Sequence, residues 1–498
     1  MKRLGAMVIA VGLLVLSGCN SSSEEPAATP SPTTTPTLAK PVELDYLASV
    51  LVDDGVGRAL VSDWTGQKVR VIDSTGDELW SADAFINDEG GGTEAYSAGD
   101  TVIVHDYSGT TTAYSWSDGS EVWSFEIPDS PSNCHLGEGF ASQTTGTSPI
   151  LGDDDLIILS YSGMLEDEGC DPTSEAGNAM VFALDPATGK EAWPGLSIGT
   201  DGETFGGTAL HISPDRMTGV LSWQEGSDSV VSRISLEDGR HTSVPITKAR
   251  AIDDTGVDHY DVYPTTEPAA LLYLYVSEDP DDPMSSAVSR IAKLSMPEGL
   301  EVSDAATLTP IDEPGEVSLE DTFDPVCASE LQFTSAGKPA CLQAQLFASA
   351  VKYQGSNGSP NGWFADAPET AVDSFGFPGG PQSVPVDAGD RALLIVPGVD
   401  SAVMALDAAT GETVWTAGRP AASPPESGMS PTWGGQGALP DLGLVGVTDS
   451  KKTIFFEADT GKLVDEHKAG DYAQLSSGHR FLVVADEETS TMWAVVDA

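Results

Sequence analysis

Basic side chains are scarce in this chain: 23 Lys and Arg stand against 77 Asp and Glu, leaving a formal charge of -54. A surface of that sign repels phosphate backbones, so nucleic acid is excluded as a partner. Its ordinary meaning is a solvated acidic coat that keeps the protein soluble. Long hydrophobic runs are also missing. Beyond the first few residues of the chain no apolar stretch is long enough for a transmembrane helix. Cysteine is rare, with five residues, none of them adjacent and none in C-x-x-C or C-x-x-C-H spacing. The common zinc and haem-attachment signatures are therefore absent. The seven histidines are scattered and include no H-E-x-x-H. No amphipathic helical periodicity stands out.

What is present begins at the N-terminus. Lys2 and Arg3 precede the apolar run Leu4 to Leu16. That run is too short to span a bilayer and suits the hydrophobic region of an export signal. It ends in Leu16-Ser17-Gly18-Cys19, which resembles a bacterial lipobox. Residues 1–18 are accordingly expected to be a lipoprotein signal peptide and Cys19 the lipidated first mature residue. The acyl chains would be the only membrane attachment, at the outer side of a bacterial membrane. Residues 19–41, rich in Ser, Thr and Pro, have little to bury and are expected to form a disordered tether. Removing Cys19 leaves Cys134, Cys170, Cys327 and Cys341. An even set in an exported protein favours disulfides. The expected pairs, between sequence neighbours, are Cys134–Cys170 and Cys327–Cys341.

From about residue 42 to residue 498 short runs of Val, Ile, Leu, Thr and Tyr alternate with Gly, Asp, Ser and Pro, which is strand-and-turn patterning. One unit recurs. The pattern A-x-D-x-x-T-G-x-x-x-W is complete from Ala183 to Trp193, with Asp185 and Gly189, and from Ala405 to Trp415, with Asp407 and Gly411. A shortened copy holds Asp73, Gly76 and Trp80. A fourth keeps Gly119 and Trp123, and a fifth keeps Gly461 but has lost the Trp. The Gly takes a left-handed turn position and the Asp bonds the turn's amides. The Trp supplies a large packing surface. A unit of three or four strands cannot bury both faces alone, so copies must stack. Trp80, Trp123, Trp193 and Trp415 are therefore read as packing residues.

The tag resembles the repeat of pyrroloquinoline quinone (PQQ)-type β-propellers, where it joins the third and fourth strands of a blade. The resemblance implies an all-β propeller of eight four-stranded blades, with seven as the runner-up, over residues 42–498. Nine segments are candidates for the first and second strands of a blade: Arg58–Ser62, Thr101–His105, Asp155–Ser160, Gly219–Trp223, Ala270–Val276, Cys341–Ala348, Ala392–Val396, Leu442–Val447 and Phe481–Ala485. Cys341–Ala348, within the insertion-rich stretch 303–385, is the least convincing. A strand near Glu43–Val52 is expected to complete the last blade, because an open edge would otherwise be exposed.

The family includes quinoprotein alcohol dehydrogenases and non-enzymatic lipoproteins, among them the propeller subunit of the outer-membrane β-barrel assembly machinery. The enzymes carry adjacent cysteines over the quinone and a Ca²⁺ cluster, neither of which can be assigned here. Gly195 to Gly199 matches G-x-S-x-G and Ser349 to Lys352 matches S-x-x-K, both in all-β surroundings that do not suit those chemistries. The acidic groups at Asp153–Asp155, Asp253, Asp254, Asp258 and Glu278–Asp282 lack EF-hand spacing. Trp433, in a loop-like stretch, is a candidate partner contact. The sequence thus points to a monomeric, non-catalytic propeller without cofactor or metal, binding a protein partner at the cell surface. A quinoprotein oxidoreductase, an assembly-complex subunit and a ligand sensor are the alternatives. If Cys19 carries the lipid, Cys19→Ser releases the protein from the membrane fraction and abolishes labelling by an alkyne fatty acid. Continued labelling of that variant contradicts the lipobox reading.

Overall fold

The computed structural model describes residues 36–84, 93–105, 110–126, 156–161, 180–198, 210–213, 217–225, 228–246, 257–264, 269–277, 287–295, 307–308, 316–319, 332–334, 338–347, 350–356, 362–368, 385–388, 391–397, 402–418, 435–448, 452–469, 473–486 and 489–497. The chain is all-β and forms a propeller. Blade 1 runs through Ala48–Asp53, Arg58–Asp63, Lys68–Asp73 and Glu78–Asp83. Blade 2 follows with Glu94–Ala98, Thr101–His105, Thr110–Ser115 and Glu121–Glu126. Blade 3 holds Ile157–Tyr161, Met180–Leu184 and Glu191–Ile198, and the short segment Thr307–Leu308 pairs in parallel with the last of these. Blade 4 comprises His211–Ile212, Thr218–Glu225, Asp228–Ser235 and His241–Ile246. Blade 5 comprises Val257–Pro264, Ala269–Ser277, Ala287–Ser295 and Glu316–Leu319.

Blade 6 is Gln332–Phe333, Pro339–Phe347, Ala350–Ser356 and Trp363–Asp366. Blade 7 is Pro385–Ala388, Arg391–Pro397, Val403–Asp407 and Thr413–Ala417. Blade 8 is Gly435–Leu439, Leu444–Thr448, Lys452–Glu457 and Leu463–Lys468. The closing sheet, blade 9, has Gln474–Ser477, Phe481–Asp486 and Thr489–Asp497, and both Val42–Leu44 and Pro36–Leu38 pair with its last strand. Seven sheets thus have the expected four antiparallel strands, blade 3 shows three with a parallel segment outside them, and the closing sheet is built from both ends of the chain, so that the described sheets number nine. The stretch 303–385, suspected of a false strand, contributes a sheet of its own: Pro339–Phe347 is the second strand of blade 6.

Two expectations at the N-terminus need correction. The Glu43–Val52 segment does not join one sheet. Val42–Leu44 completes the closing sheet, while Ala48–Asp53 is the first strand of blade 1. The bend at residues 45–47 separates them, and Leu47 accepts a hydrogen bond there from the Trp64 amide at 3.1 Å. The tether, drawn to residue 41, ends sooner. Pro36–Leu38 pairs with Asp497, Val496 and Val495, and Leu38 packs against the cluster joining blades 8 and 9.

Burial explains the strand sequences. The second strand of a blade is covered on both faces, so Arg58–Asp63 and Phe481–Asp486 read as nearly continuous buried runs. The fourth strand is at the rim. In Glu78–Asp83 and Glu121–Glu126 the Trp is the one buried residue. Apolar clusters join blade 1 to 2, 2 to 3, 3 to 4, 6 to 7, 7 to 8, 8 to 9, and 9 back to 1. The chain's two ends are therefore packed together.

The tag supplies the joint. The Trp of one blade lies on the tag turn of the next, and its indole N–H donates to the carbonyl three residues before that turn's Gly. Trp80 donates to Trp116, Trp123 to Pro186, Trp193 to Leu236, Trp363 to Ala408 and Trp415 to Ala458, at 3.2, 3.0, 3.1, 2.9 and 2.6 Å. Glycine is required twice over at the turn. Gly411 has φ +70°, and a Cβ there would sit 2.2 Å from the Trp363 ring. Trp363 thus belongs to the series, although its own tag is unrecognisable in sequence.

Two tags lack the Trp: blade 4 has Ser243 four residues after Gly239, and blade 8 has Asp465 four residues after Gly461. The sheet after blade 8 is the closing one, whose outer strand comes from the N-terminus, so it has no turn between third and fourth strands to receive an indole. Trp493 instead reaches back from the closing sheet to Phe455 and His467, with ring centroids 5.4 and 5.2 Å away. Conversely, Gly76 of blade 1 is covered by Val42 and Leu44, where other blades present a Trp. Replacing a buried Trp of this kind with Ala costs about 3–5 kcal/mol. Denaturant unfolding should show Trp415→Ala and Gly461→Val each strongly destabilising, and their combination clearly less than additive, because the new side chain then has no ring to strike. Full additivity contradicts the joint.

Candidate functional site

The most elaborate polar cluster among the described residues sits where the chain closes. In an antiparallel blade the turns joining first to second and third to fourth strands emerge at one end of the ring. The tag turns share that end with the 54–57 hairpin of blade 1, the short helical turn Pro440–Leu442 of blade 8 and the 478–480 turn of the closing sheet. Pro36 pairs with Asp497, so the N-terminal strand also enters there.

Arg480 stands at the centre, its side chain 5% exposed. Its guanidinium donates to Asp497 Oδ1 at 3.0 Å and Oδ2 at 3.2 Å, and to the Val56 carbonyl at 2.7 Å. Its Nε lies 3.4 Å from Asp441 Oδ2, and His479 Nδ1 lies 3.6 Å from the other oxygen of Asp441. The Arg480 amide donates to Asp53 Oδ2 at 2.6 Å. One residue therefore ties blade 1, blade 8 and the last strand of the closing sheet. Asp53 is buried, and burial holds its pKa above the ordinary carboxylate value despite the amides of Arg480 and Gly55. Asp54 shows the opposite balance. Burial opposes its ionisation, but the amides of Gly57, Arg58 and Val56 and the Arg58 guanidinium more than offset it and lower the pKa. This carboxylate clamps the hairpin and presents Val56, 74% exposed, at its tip.

A second node lies at the opposite end of blade 1. Asp63 accepts from the Thr65 amide and hydroxyl, the Gly66 amide and Arg70 Nε and Nη2. Burial again opposes ionisation, and the Thr65 hydroxyl and Arg70 lead the bonds that bring its pKa below the usual range. Arg70 also pairs with Glu78 and lies 4.7 Å from the Tyr46 ring centroid. Burial pushes the Tyr46 phenol up to about 12, with Arg70 pulling the other way. Both nodes hold strands together; their charged groups are committed to partners within the ring.

The tag residues form the turns that precede the Trp-bearing strands. Asp73 ends the third strand of blade 1 and takes the Thr75 amide and hydroxyl at 2.8 and 2.6 Å. Asp185 and Asp407 take the amides of Ala187 and Ala409 at 2.8 and 2.9 Å. Gly76, Gly119, Gly189, Gly411 and Gly461 all have positive φ. Trp80, Trp123, Trp193 and Trp415 are buried. Cys341 is buried in the second strand of blade 6 and is disulfide-bonded. Cys19, Cys134, Cys170, Cys327 and Trp433 lie outside the described residues. The G-x-S-x-G match begins inside the strand Glu191–Ile198, and its Gly195 is explained by the Phe182 ring, 2.4 Å from where a Cβ would stand. Lys352 of the S-x-x-K match lies in a strand and pairs with Asp366. Sequence reasoning missed Arg480, which has no motif around it, and Trp363.

Residues 65–196 match the family described as outer membrane protein assembly factor BamB. Among solved structures, BamB from Moraxella catarrhalis is similar over 92% of this chain and 100% of its own, at 13% identity and a TM-score of 0.31. A europium-containing methanol dehydrogenase is similar over 92% and 93%, at 12% identity and a TM-score of 0.41. The quinohemoprotein alcohol dehydrogenase from Comamonas testosteroni is similar over 93% of this chain and 77% of its own, at 13% identity and a TM-score of 0.37. No curated protein sequence is significantly similar to the chain.

The Asp63 node makes stability pH-dependent with a definite sign. Its pKa is lowered on folding, so its contribution is present above the unfolded value of about 3.9 and is lost as pH falls through the folded value. Asp53, raised on folding, works in the opposite sense. Unfolding free energy measured across the acid range should fall less steeply in Asp63→Asn than in the wild type. Identical slopes contradict the assignment. Arg480→Met, which removes a buried guanidinium from Asp497, Asp441 and the Val56 carbonyl, should cost about 1–3 kcal/mol.

Proposed function

We propose that this chain, a β-propeller of PQQ-like repeats, is a non-catalytic protein-binding scaffold of the cell envelope. It is exported, held at the outer side of a bacterial membrane by the lipid on Cys19, and works as a monomer. The observation that carries the reading is the match of residues 65–196 to an outer-membrane assembly-factor family. The fate of the repeat residues supports it, since the tag Trp side chains are consumed in joints between blades. Loops fixed on such a rigid ring suit recognition of a partner. The partner is an envelope protein, and a place in an assembly complex is the finer form of this reading.

The residues present do not fit a quinone centre. The family's enzymes place adjacent cysteines over the quinone, and this sequence has none. Among the described residues no three His, Cys, Asp or Glu side chains gather as a Ca²⁺ cluster would require. Crosslinking in native membranes followed by affinity capture should recover a defined envelope protein. Incubation of the purified protein with PQQ and Ca²⁺ should give neither a bound chromophore nor dye reduction. Quinone-dependent dye reduction overturns the proposal.

A further inference from the structure

The indole series also breaks between blades 4 and 5, and both halves of the joint are missing there. The outer strand of blade 4, His241–Ile246, carries no Trp. Blade 5 has no tag turn to receive one. Its third and fourth strands are aligned for such a turn, since Ser295 and Glu316 are direct cross-strand partners. In blade 7 the partners Leu406 and Thr413 are joined by the tag turn alone, residues 407–412. In blade 5 the connection runs from 296 to 315 and leaves its own sheet. Within it Thr307 and Leu308 pair in parallel with Ser197 and Ile198 of blade 3. The same two residues lie beside the blade 4 outer strand. The chain thus departs from blade 5, meets blades 3 and 4, and returns to the position it left.

Blade 3 is extended to meet it. The outer strands of blades 1, 2, 4 and 8 end seven residues after the tag Gly, at Asp83, Glu126, Ile246 and Lys468. That of blade 3 runs two residues further, to Ile198. The two added residues, Ser197 and Ile198, are the ones that Thr307 and Leu308 pair with. Both partners of this contact therefore depart from the repeat, one by a long excursion and the other by a longer strand.

We infer that Thr307–Leu308 is a clasp by which blade 5 holds blades 3 and 4, in place of the indole joint that the seam between blades 4 and 5 lacks. Among the described residues blades 4 and 5 meet through Val257–Pro264, the first strand of blade 5, beside Thr218–Glu225 and His211–Ile212. That contact lies toward the axis, and the clasp supplies one at the rim. Closing so long a loop costs more chain entropy than a tag turn does, and a pairing of two residues contributes about one or two net hydrogen bonds. The clasp is thus a weaker and more readily released joint than a buried indole. It is independent of what the propeller binds.

Hydrogen exchange of the full chain, read by mass spectrometry, tests the clasp. The double variant Thr307→Gly with Leu308→Gly keeps the length of the connection and weakens its pairing. It should speed exchange about tenfold in the blade 5 strands Ala269–Ser277 and Ala287–Ser295, because one net hydrogen bond corresponds to about a factor of ten. Exchange in Lys452–Glu457 of blade 8 should stay as it is in the wild type. Unchanged blade 5 exchange overturns the inference. Acceleration confined to Glu191–Ile198 also overturns it, reducing the segment to a cover for the blade 3 edge. Equal acceleration in blade 8 does so too, as a loss of overall stability. In a second variant residues 296–315 are replaced by a copy of the blade 7 turn 407–412, which closes the Ser295–Glu316 pair within its own sheet. There the peptide containing Ser197 and Ile198 should lose protection, and retained protection contradicts the pairing itself.

Discussion

The ring depends on one contact repeated between neighbouring blades: an indole laid across a left-handed glycine turn, with its N–H tied to a backbone carbonyl. Each part answers a physical requirement. A four-stranded sheet buried on both faces needs a large apolar side chain at its rim to seal the wedge between blades. A buried indole N–H needs an acceptor. The turn offers a free carbonyl and, having glycine, no Cβ in the way. The pattern repeats at Trp80, Trp123, Trp193, Trp363 and Trp415 with the same three-residue offset between acceptor and Gly.

A chain with two ends cannot repeat that contact around a full circle. The closing sheet takes its outer strand from the N-terminus, and blade 1 receives Val42 and Leu44 in place of a Trp. Arg480 then does ionically what no tag turn can do there, binding Asp497 at the end of the last strand, Val56 in blade 1 and Asp441 in blade 8.

Much of this was legible in the sequence because the tag combines features with distinct physical roles at fixed spacing. All nine segments read as first or second strands overlap second strands of separate sheets or, in blade 3, the strand preceding the tag-bearing one. The alternation of buried runs with polar turns carries that signal. Trp363 was not legible, since it lacks the Asp and Thr-Gly before it and reveals its role solely through Gly411 in the next blade. Arg480 was not legible either: its partners lie 427 residues away at Asp53 and 17 away at Asp497, and no local pattern records such a meeting. The strand at Pro36–Leu38 was hidden inside a Pro- and Thr-rich stretch whose composition reads as tether. A PQQ-like fold carries both enzymes and scaffolds, so function has to be argued from sites.

The indole N–H groups offer the most direct test of the ring's organisation. Hydrogen exchange followed on protein with ¹⁵N-labelled tryptophan, assigned by single Trp→Phe replacements, reads each joint separately. The account predicts that Trp80, Trp123, Trp193, Trp363 and Trp415 exchange slowly, protected by their acceptors in the following blade. Exchange of these five at the rate of free tryptophan would contradict it.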